Sequence, residues 1–166
     1  MDDPVDRGGH TCMGITEHTA REAHKNGLIA SPKVTDLTKA DAEKIYFHCY
    51  YRPSMSHIMD WPLGLAHFDA AVNHGVGRAG MLLQDALNSM NTGPNAYMLK
   101  VDGAVGPKTL GVLHDVLRTR SPQVVTQRQM DIRREFYHAI IRRRPDQERF
   151  FRGWMNRLKW LKEAID

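Results

Sequence analysis

Cysteine is scarce in this sequence, since Cys12 and Cys49 are the only two among 166 residues. Two thiols so far apart are too few for a disulfide framework or a zinc cluster, and isolated thiols are usually buried as small apolar side chains. The nine histidines are scattered, and none forms the i, i+4 pair beside an acid that a helical metal site needs. We therefore expect neither a metal nor a cofactor, and we assign no redox compartment.

Long apolar runs are also lacking. No run approaches the ~20 residues that span a bilayer, and no charged-then-apolar leader opens the chain, so we expect no stable membrane insertion. Apolar residues make up 42% of the chain and charged residues 25%, which is ordinary for a soluble globular protein. The length favours one domain. The sequence fits a mature cytosolic product or a segment of a longer one, and we expect a monomer.

The alternation of apolar and polar residues that is typical of strands is also rare. Apolar residues instead recur at three- and four-residue spacing, which predicts a mainly α fold with a small hairpin at the start. Capping threonines, helix-opening or helix-ending prolines and terminal glycines set the expected boundaries. Helices are predicted over residues 16–26, 38–52, 63–74, 78–90, 107–117 and 122–144, with a last helix after Pro145.

What the sequence does contain is a patterned polar stretch over residues 2–16. Asp-Pro and Gly-Gly pairs mark tight turns, and glycine permits a positive φ where a chain reverses. The stretch predicts a short, irregular hairpin that presents Asp6 and Thr11 toward one another. Thr16 then caps a helix, with Glu17 placed favourably against the helix dipole. A polar hairpin followed by a helix is a suitable wall for a cleft.

Four motifs in order resemble one family. They are Asp-Asp-Pro-x-Asp-x-Gly-Gly-x-Thr-x-x-Gly-Ile-Thr at residues 2–16, Phe-Asp-Ala-Ala-Val-Asn-His-Gly at 68–75 followed by Arg-Ala at 78–79, Asp-Gly-x-x-Gly-Pro-Lys-Thr at 102–109, and Phe-Arg-Gly-Trp-x-x-Arg at 151–157. Together they resemble the lysozyme-like N-acetylmuramidases of glycoside hydrolase family 108, found in phage endolysins and secretion-activator proteins. The resemblance implies a lysozyme-like helical domain, with a muramidase-like region at residues 1–90 and a helical peptidoglycan-binding region at residues 91–166.

The implied reaction is hydrolysis of the β-1,4 bond between N-acetylmuramic acid and N-acetylglucosamine in peptidoglycan. It needs a protonated carboxyl for the leaving oxygen and a second group that positions water or stabilises the oxocarbenium-like transition state. By motif position, Asp6 matches the family's hairpin carboxylate and Thr11 its water-positioning hydroxyl. We therefore expect Asp6 and Thr11 to be the catalytic residues.

The sequence departs from the family pattern at the general acid. The family's Glu-Gly-Gly-aromatic segment lies directly upstream of Asp-Asp-Pro, whereas Met1 stands directly before Asp2 here. Three explanations are open: the sequence is shortened, the protein has lost hydrolysis and kept binding, or another carboxyl has taken the role. The nearest glutamates, Glu17 and Glu22, follow the hairpin, where solvated helix positions are the default.

Five further residues are candidates for binding substrate. Asp69 and Asn73 lie one helical turn apart, and they either bind sugar groups or form a buried hydrogen-bonded pair that holds the hairpin. His74 is expected as a cap or at the cleft rim rather than as a base. Tyr51 and Trp61 can stack on sugars, although aromatic residues beside a proline are as often plugs of the core.

The net charge of +4 conceals an asymmetry, because basic residues crowd the last third of the chain. The arginine run at residues 142–144 is either a solvated helix end or a contact for an anionic wall or outer-membrane surface. A basic helical protein can also bind nucleic acid, but no base-reading motif is present, so we expect peptidoglycan and not nucleic acid as the partner. Localisation stays open, and the sequence fits cytoplasmic synthesis with release to the cell wall at lysis.

Overall fold

A computed structural model describes residues 11–92 and 96–166 of the chain. Within these ranges it contains seven α-helices and one two-stranded antiparallel sheet, which confirms the mainly α fold class with a small N-terminal hairpin. Packing divides the chain into an N-terminal unit, residues 1–53, and a C-terminal unit, residues 54–166. The functional division at residues 90 and 91 stays a prediction. In the described ranges, no helix is both long enough and apolar enough to cross a bilayer.

The hairpin of the N-terminal unit consists of β1 (Thr11–Cys12) and β2 (Ile15–Thr16), with Thr11 paired to Thr16 and Cys12 paired to Ile15. The chain reverses at Met13 and Gly14, whose φ angles are 50° and 76°, as a tight two-residue hairpin turn requires. The Tyr46 hydroxyl donates to the Met13 carbonyl oxygen at 2.7 Å and holds this turn. The reversal expected at Gly8 and Gly9 lies outside the described residues.

Two α-helices follow the hairpin in this unit: α1 (Glu17–Lys25) and α2 (Lys39–Ile45). Both caps were predicted. The Thr16 hydroxyl oxygen accepts from the Thr19 backbone N–H, and Thr38 and Asp41 form a reciprocal capping box. A π-helix (Tyr46–Tyr51) follows α2 directly and was not predicted. The expected apolar stripe is confirmed, since Ala42 and Ile45 are buried and Tyr46, Cys49 and Tyr50 pack against them.

The C-terminal unit contains five helices: α3 (Leu63–His74), α4 (Val76–Met90), α5 (Pro107–Leu117), α6 (Pro122–Arg143) and α7 (Glu148–Ile165). Their boundaries follow the prediction closely, except that α4 begins at Val76 instead of Arg78. Gly75, with φ at 83°, makes the break between α3 and α4. One apolar cluster joins α3, α4 and α5 through Leu63, Leu83 and Val112, and another joins α3, α6 and α7 through Ala66, Met130 and Leu161.

Candidate functional site

Thr11 lies in β1 with its side chain exposed. Its strand is short, and the turn that follows is fixed by the hydrogen bond from Tyr46. Asp6, the expected catalytic partner of Thr11, lies outside the described residues. The structure therefore locates one of the two predicted catalytic side chains. It lies on a hairpin whose turn is fixed by a hydrogen bond and which leads into α1.

The two glutamates nearest the hairpin both lie on α1. Glu17 is in the first turn of α1 and accepts from Arg21 Nη1 at 3.4 Å, with its side chain 44% exposed. Glu22 is exposed on the same helix. Both positions agree with the interpretation of these residues as solvated helix positions.

The two candidate aromatic residues lie in different units. Tyr51 ends the π-helix of the N-terminal unit and is half-buried, with its ring centroid 5.9 Å from that of Phe47. Trp61 lies in the C-terminal unit just before α3, and it is 60% exposed. This exposure excludes the core-plug alternative for Trp61 and leaves its indole ring accessible to a ligand.

Asp69 is the centre of a buried ionic cluster of the C-terminal unit. It is only 4% exposed on α3, and Arg133 from α6 is 2% exposed beside it. Arg133 Nη1 donates to Asp69 Oδ2 at 2.6 Å, and Arg157 Nε from α7 donates to Oδ1 at 2.8 Å. Each carboxylate oxygen thus binds a guanidinium group, and Asp69 ties three helices together.

Asn73 has a local partner on α3. Its side-chain amide donates to the backbone carbonyl oxygen of Asp69 at 2.7 Å, and its side chain is exposed. Asp69 and Asn73 therefore do not form the buried side-chain pair that one interpretation expected. Asn73 is exposed, and sugar binding by its side chain stays a prediction. Asp69 instead binds two arginines, and these contacts hold helices together.

His74 ends α3 and extends the same cluster. Its Nε2 lies 2.9 Å from the Tyr137 hydroxyl and accepts from Arg133 Nε at 3.0 Å. Burial, followed by the charge of Arg133, lowers the pKa of His74 to about 4, so the imidazole is neutral at pH 7. Tyr137 in turn stacks on Trp154 of α7, with ring centroids 4.9 Å apart. His74 is thus held within the cluster, and its role in binding substrate stays a prediction.

A second histidine, which the sequence did not single out, is fully buried on α3. His67 Nε2 donates to the Ser54 carbonyl oxygen at 3.0 Å, and Nδ1 accepts from the Gln129 side-chain amide at 2.8 Å. Burial lowers the pKa of His67 to about 4. Both ring nitrogens are therefore satisfied in the neutral form, and His67 joins the start of this unit to α6.

The loop that contains the Asp-Gly-x-x-Gly-Pro-Lys-Thr motif packs against α4 through Gln84. The Gln84 side-chain nitrogen lies 3.0 Å from Asp102 Oδ1 and 3.2 Å from the Thr109 hydroxyl oxygen, and its oxygen accepts from the Gly103 backbone N–H at 2.8 Å. Gln84 and Thr109 are buried, so these bonds are protected from water. The motif is therefore a fixed loop and not only a turn leading into α5.

This loop borders a cleft of about 430 Å³, which we call the Tyr97 cleft. Its rim includes Tyr97, Lys100, Asp102 and Lys108, and its base includes Gln84 and Thr109. Tyr97 is 53% exposed. The fixed loop, the exposed ring of Tyr97 and the two lysines of its rim make this cleft a candidate place for a polar ligand.

In the part of the chain that the structure describes, no group of three or more histidine, cysteine, aspartate or glutamate side chains converges. Cys12 and Cys49 are separate, half-buried thiols, and burial raises the pKa of the Cys49 thiol.

Sequence reasoning missed Arg133, Tyr137 and Gln84. Each lies on a predicted helix, and Arg133 and Gln84 are polar residues at positions where the helix period expects apolar ones. A buried polar residue needs a partner, so a break in the apolar stripe is the one signal that could have found them.

Two family models match the chain. Residues 1–75 match the family described as "Glycosyl hydrolase 108", and residues 78–159 match the "Predicted Peptidoglycan domain". Among solved structures, "Structure of Brucella abortus SagA" is similar with a TM-score of 0.75 and 25% sequence identity, over 99% of this chain and 84% of that chain. No curated protein matches the chain.

Proposed function

The chain belongs to the glycosyl hydrolase 108 family and carries a predicted peptidoglycan domain, and we infer that the protein is an N-acetylmuramidase of the endolysin type. The chain is by these domains a peptidoglycan-related glycosidase. The proposed reaction is cleavage of the β-1,4 bond between N-acetylmuramic acid and N-acetylglucosamine. The observation that carries the proposal is the presence of both family regions in one chain. The hydrolase region indicates the class of reaction, and the peptidoglycan region indicates the polymer.

We assign the chemistry to the hairpin. Asp6 is the carboxylate that stabilises the oxocarbenium-like transition state or orients water, and the Thr11 hydroxyl holds the attacking water. The exposed position of Thr11 on β1 supports this role, because its hydroxyl is free to reach a ligand. The hydrogen bond from Tyr46 to the turn restrains the strand that carries it.

The proposed sugar contacts come from several elements. The exposed Trp61 indole offers a flat apolar face of the kind that stacks on pyranose rings, and the exposed Asn73 offers an amide for a hydroxyl or N-acetyl group. Tyr51 is half-buried and can contribute its ring edge. Asp69 and His74 are proposed to act indirectly, because their bonds to Arg133 fix α3, the helix that carries Asn73.

A second candidate is a peptidoglycan-binding module without hydrolysis. It is favoured by the glutamates that follow the hairpin, because Glu17 pairs with Arg21 and Glu22 lies on an exposed helix face. Neither position resembles the buried carboxyl that a general acid needs in order to stay protonated. Both candidates predict binding to sacculi, and only the first predicts cleavage.

Purified peptidoglycan sacculi test the proposal directly. The protein is incubated with sacculi, the soluble products are reduced with borohydride, and mass spectrometry identifies the sugar at the new reducing end. A muramidase gives reduced N-acetylmuramic acid. Asp6→Asn is expected to lower the release of products by roughly 10²-fold, and Thr11→Ala to lower it as well, because each removes a group that acts on the reacting atoms.

Matched controls are Asp115→Asn and Thr92→Ala, both at exposed positions of the C-terminal unit, which should release products at the wild-type rate. Sedimentation of the protein with sacculi without new reducing ends would establish the binding module instead. Reduced N-acetylglucosamine as the new end would overturn the proposed bond specificity.

A further inference from the structure

The Tyr97 cleft has a rigid frame. Asn88 on α4 donates to the Leu99 carbonyl oxygen at 2.9 Å and accepts from the Leu99 backbone N–H at 2.8 Å. The side chain of Leu99 is buried in the apolar cluster below. The segment that carries Tyr97 and Lys100 is therefore fixed to α4 at both backbone groups of Leu99, which presents the two exposed side chains in a defined place.

The opposite side of the cleft is fixed by a close backbone approach. A Cβ atom on Gly80 would lie 2.1 Å from the Gly103 carbonyl oxygen, and a Cβ atom on Gly103 would lie 2.4 Å from the Gly77 carbonyl oxygen. Only glycine fits at these positions, and Gly103 also has a φ of 82°. The loop and α4 thus touch through their main chains, and this contact places Asp102 on the rim.

The charges of the cleft are unbalanced. The Ala104 backbone N–H and the Gln84 amide donate to the Asp102 carboxylate and lower the pKa of Asp102, with a further contribution from the charge of Lys100. The negative charge of Asp102 is thus held by internal donors. Lys100 and Lys108 are both exposed, and neither forms an ion pair with any residue that the structure describes.

The cleft therefore combines a volume in the usual range for small ligands, an accessible aromatic ring and two exposed lysines beside one carboxylate, Asp102, which already accepts from internal donors. A neutral N-acetylhexosamine can accept hydrogen bonds from two ammonium groups but has no charge to pair with them, whereas a short peptide with free carboxylates forms the stronger charge-assisted hydrogen bonds. In peptidoglycan such carboxylates belong to the stem peptides, and the glycan backbone lacks them apart from its link to the peptide.

We propose that the Tyr97 cleft binds the stem peptide of peptidoglycan, with Lys100 and Lys108 on its carboxylates and Tyr97 packed against its backbone and side chains. The assignment rests on the proposed function, since it takes peptidoglycan as the polymer. It adds that this region recognises the peptide and not the sugars. Cleavage by the hairpin and recognition by the cleft then use different chemical parts of one substrate.

The test uses two soluble probes: N-acetylglucosaminyl-N-acetylmuramyl tetrapeptide, and the same disaccharide without peptide, with the lactyl carboxyl group of its N-acetylmuramic acid converted to the primary amide. Isothermal titration calorimetry should show binding of the muropeptide to the full chain and at least about tenfold weaker binding of the bare disaccharide. Lys100→Gln combined with Lys108→Gln should weaken muropeptide binding by about tenfold or more, as expected for the loss of two charge-assisted contacts. Tyr97→Ala should weaken it as well, and Tyr97→Phe should preserve it.

Lys162→Gln is the matched control, because Lys162 is an exposed lysine on α7 outside the cleft, and it should bind like the wild type. Circular dichroism checks that each variant is folded. Equal binding of both probes, or unchanged muropeptide binding in the double lysine variant, would overturn the proposal.

Sedimentation with sacculi separates this proposal from the function on which it rests. If the wild type sediments with sacculi and the double variant sediments equally well, the cleft assignment fails and the proposed function stands. If the wild type does not sediment and releases no sugar ends, the proposed function fails and the cleft assignment falls with it.

Discussion

Asp69 shows, at the scale of a single residue, why a polar side chain on a buried helix face need not belong to a binding site. Its carboxylate pairs with two arginines: Arg133, which is almost fully buried, and Arg157, whose side chain is 46% exposed. Arg133 Nη2 is buried with no hydrogen-bond partner in the described residues. A buried guanidinium depends on its counter-ion, because removing one partner leaves an uncompensated charge.

Asp69→Asn is expected to lower the free energy of unfolding by about 3–5 kcal/mol, since it leaves the Arg133 charge unpaired in the interior. Arg157→Gln should lower it by about 1 kcal/mol, because this arginine is partly solvated and water replaces its bond. Urea unfolding at pH 7 measures both values.

The double variant Asp69→Leu with Arg133→Met is the control for this prediction. It removes both charges, so it should be more stable than Asp69→Asn, as buried pairs replaced together by apolar residues often cost little. If Asp69→Asn and Arg157→Gln lower the free energy of unfolding equally, the unpaired charge of Arg133 is not the cause of the loss in Asp69→Asn.

At the scale of elements, the contact between α4 and the loop at residues 102–106 depends on Gly80. Gly80→Ala would place a methyl group 2.1 Å from the Gly103 carbonyl oxygen. The loop must then move away from α4 and stretch the bonds to Gln84. We expect a loss of about 2 kcal/mol or more in the free energy of unfolding, together with weaker muropeptide binding in the Tyr97 cleft.

Gly111→Ala is the matched control for Gly80→Ala. Gly111 lies within α5, and a Cβ atom there meets nothing within 4 Å. Alanine is preferred to glycine inside a helix by roughly 0.5–1 kcal/mol, so this variant should be at least as stable as the wild type. Thermal denaturation compares the stability of the two variants. The same loss of stability in both would show that the close approach of Gly80 to Gly103 is not the cause.

Elements were predictable where their signals are local. The capping residues Thr16 and Thr38, the helix-opening Pro107 and the break at Gly75 lie within one turn of the boundary that they set, so the sequence alone places most helix ends. The π-helix after Ile45 has no comparable local signal, and its Tyr46 and Tyr50 pack against an apolar cluster that includes Ile15, which is distant in sequence.

The partners of the candidate residues could not be predicted for the opposite reason. Arg133 and Asp69 are 64 positions apart, and Arg157 and Asp69 are 88 positions apart. Their meeting follows from the packing of α3, α6 and α7 and not from any local pattern. The motif at residues 102–109 was recognised, but the cleft beside it required the position of Gln84 on α4.

At the scale of the whole molecule, the family regions and the compact units do not coincide. The glycosyl hydrolase match ends at residue 75, while the C-terminal unit begins at Ser54. Helix α3 therefore belongs to the hydrolase match by sequence and packs with α4 and α6 of the peptidoglycan match. Residues 54–166 should unfold as one cooperative unit, because α3 shares apolar clusters with α4 to α7.

The stability of this C-terminal unit should depend on pH through His67 and His74. Both have a folded pKa of about 4 against an ordinary value of 6.5, so the unfolded chain binds more protons between these values. Stability is then fully present above pH 6.5 and is lost as the pH falls toward 4. The expected loss between pH 7 and pH 4.5 is roughly 2 kcal/mol for each histidine.

Urea unfolding followed by tryptophan fluorescence measures this loss selectively, because Trp61, Trp154 and Trp160 are the three tryptophans of the chain and all lie in the C-terminal unit. His67→Gln should flatten the dependence on pH between 6.5 and 4.5, whatever its effect on stability at pH 7. His114→Gln, at an exposed position on α5, should leave the slope unchanged. The same slope in the wild type and in His67→Gln would mean that the burial of His67, between Ser54 and Gln129, does not keep it neutral.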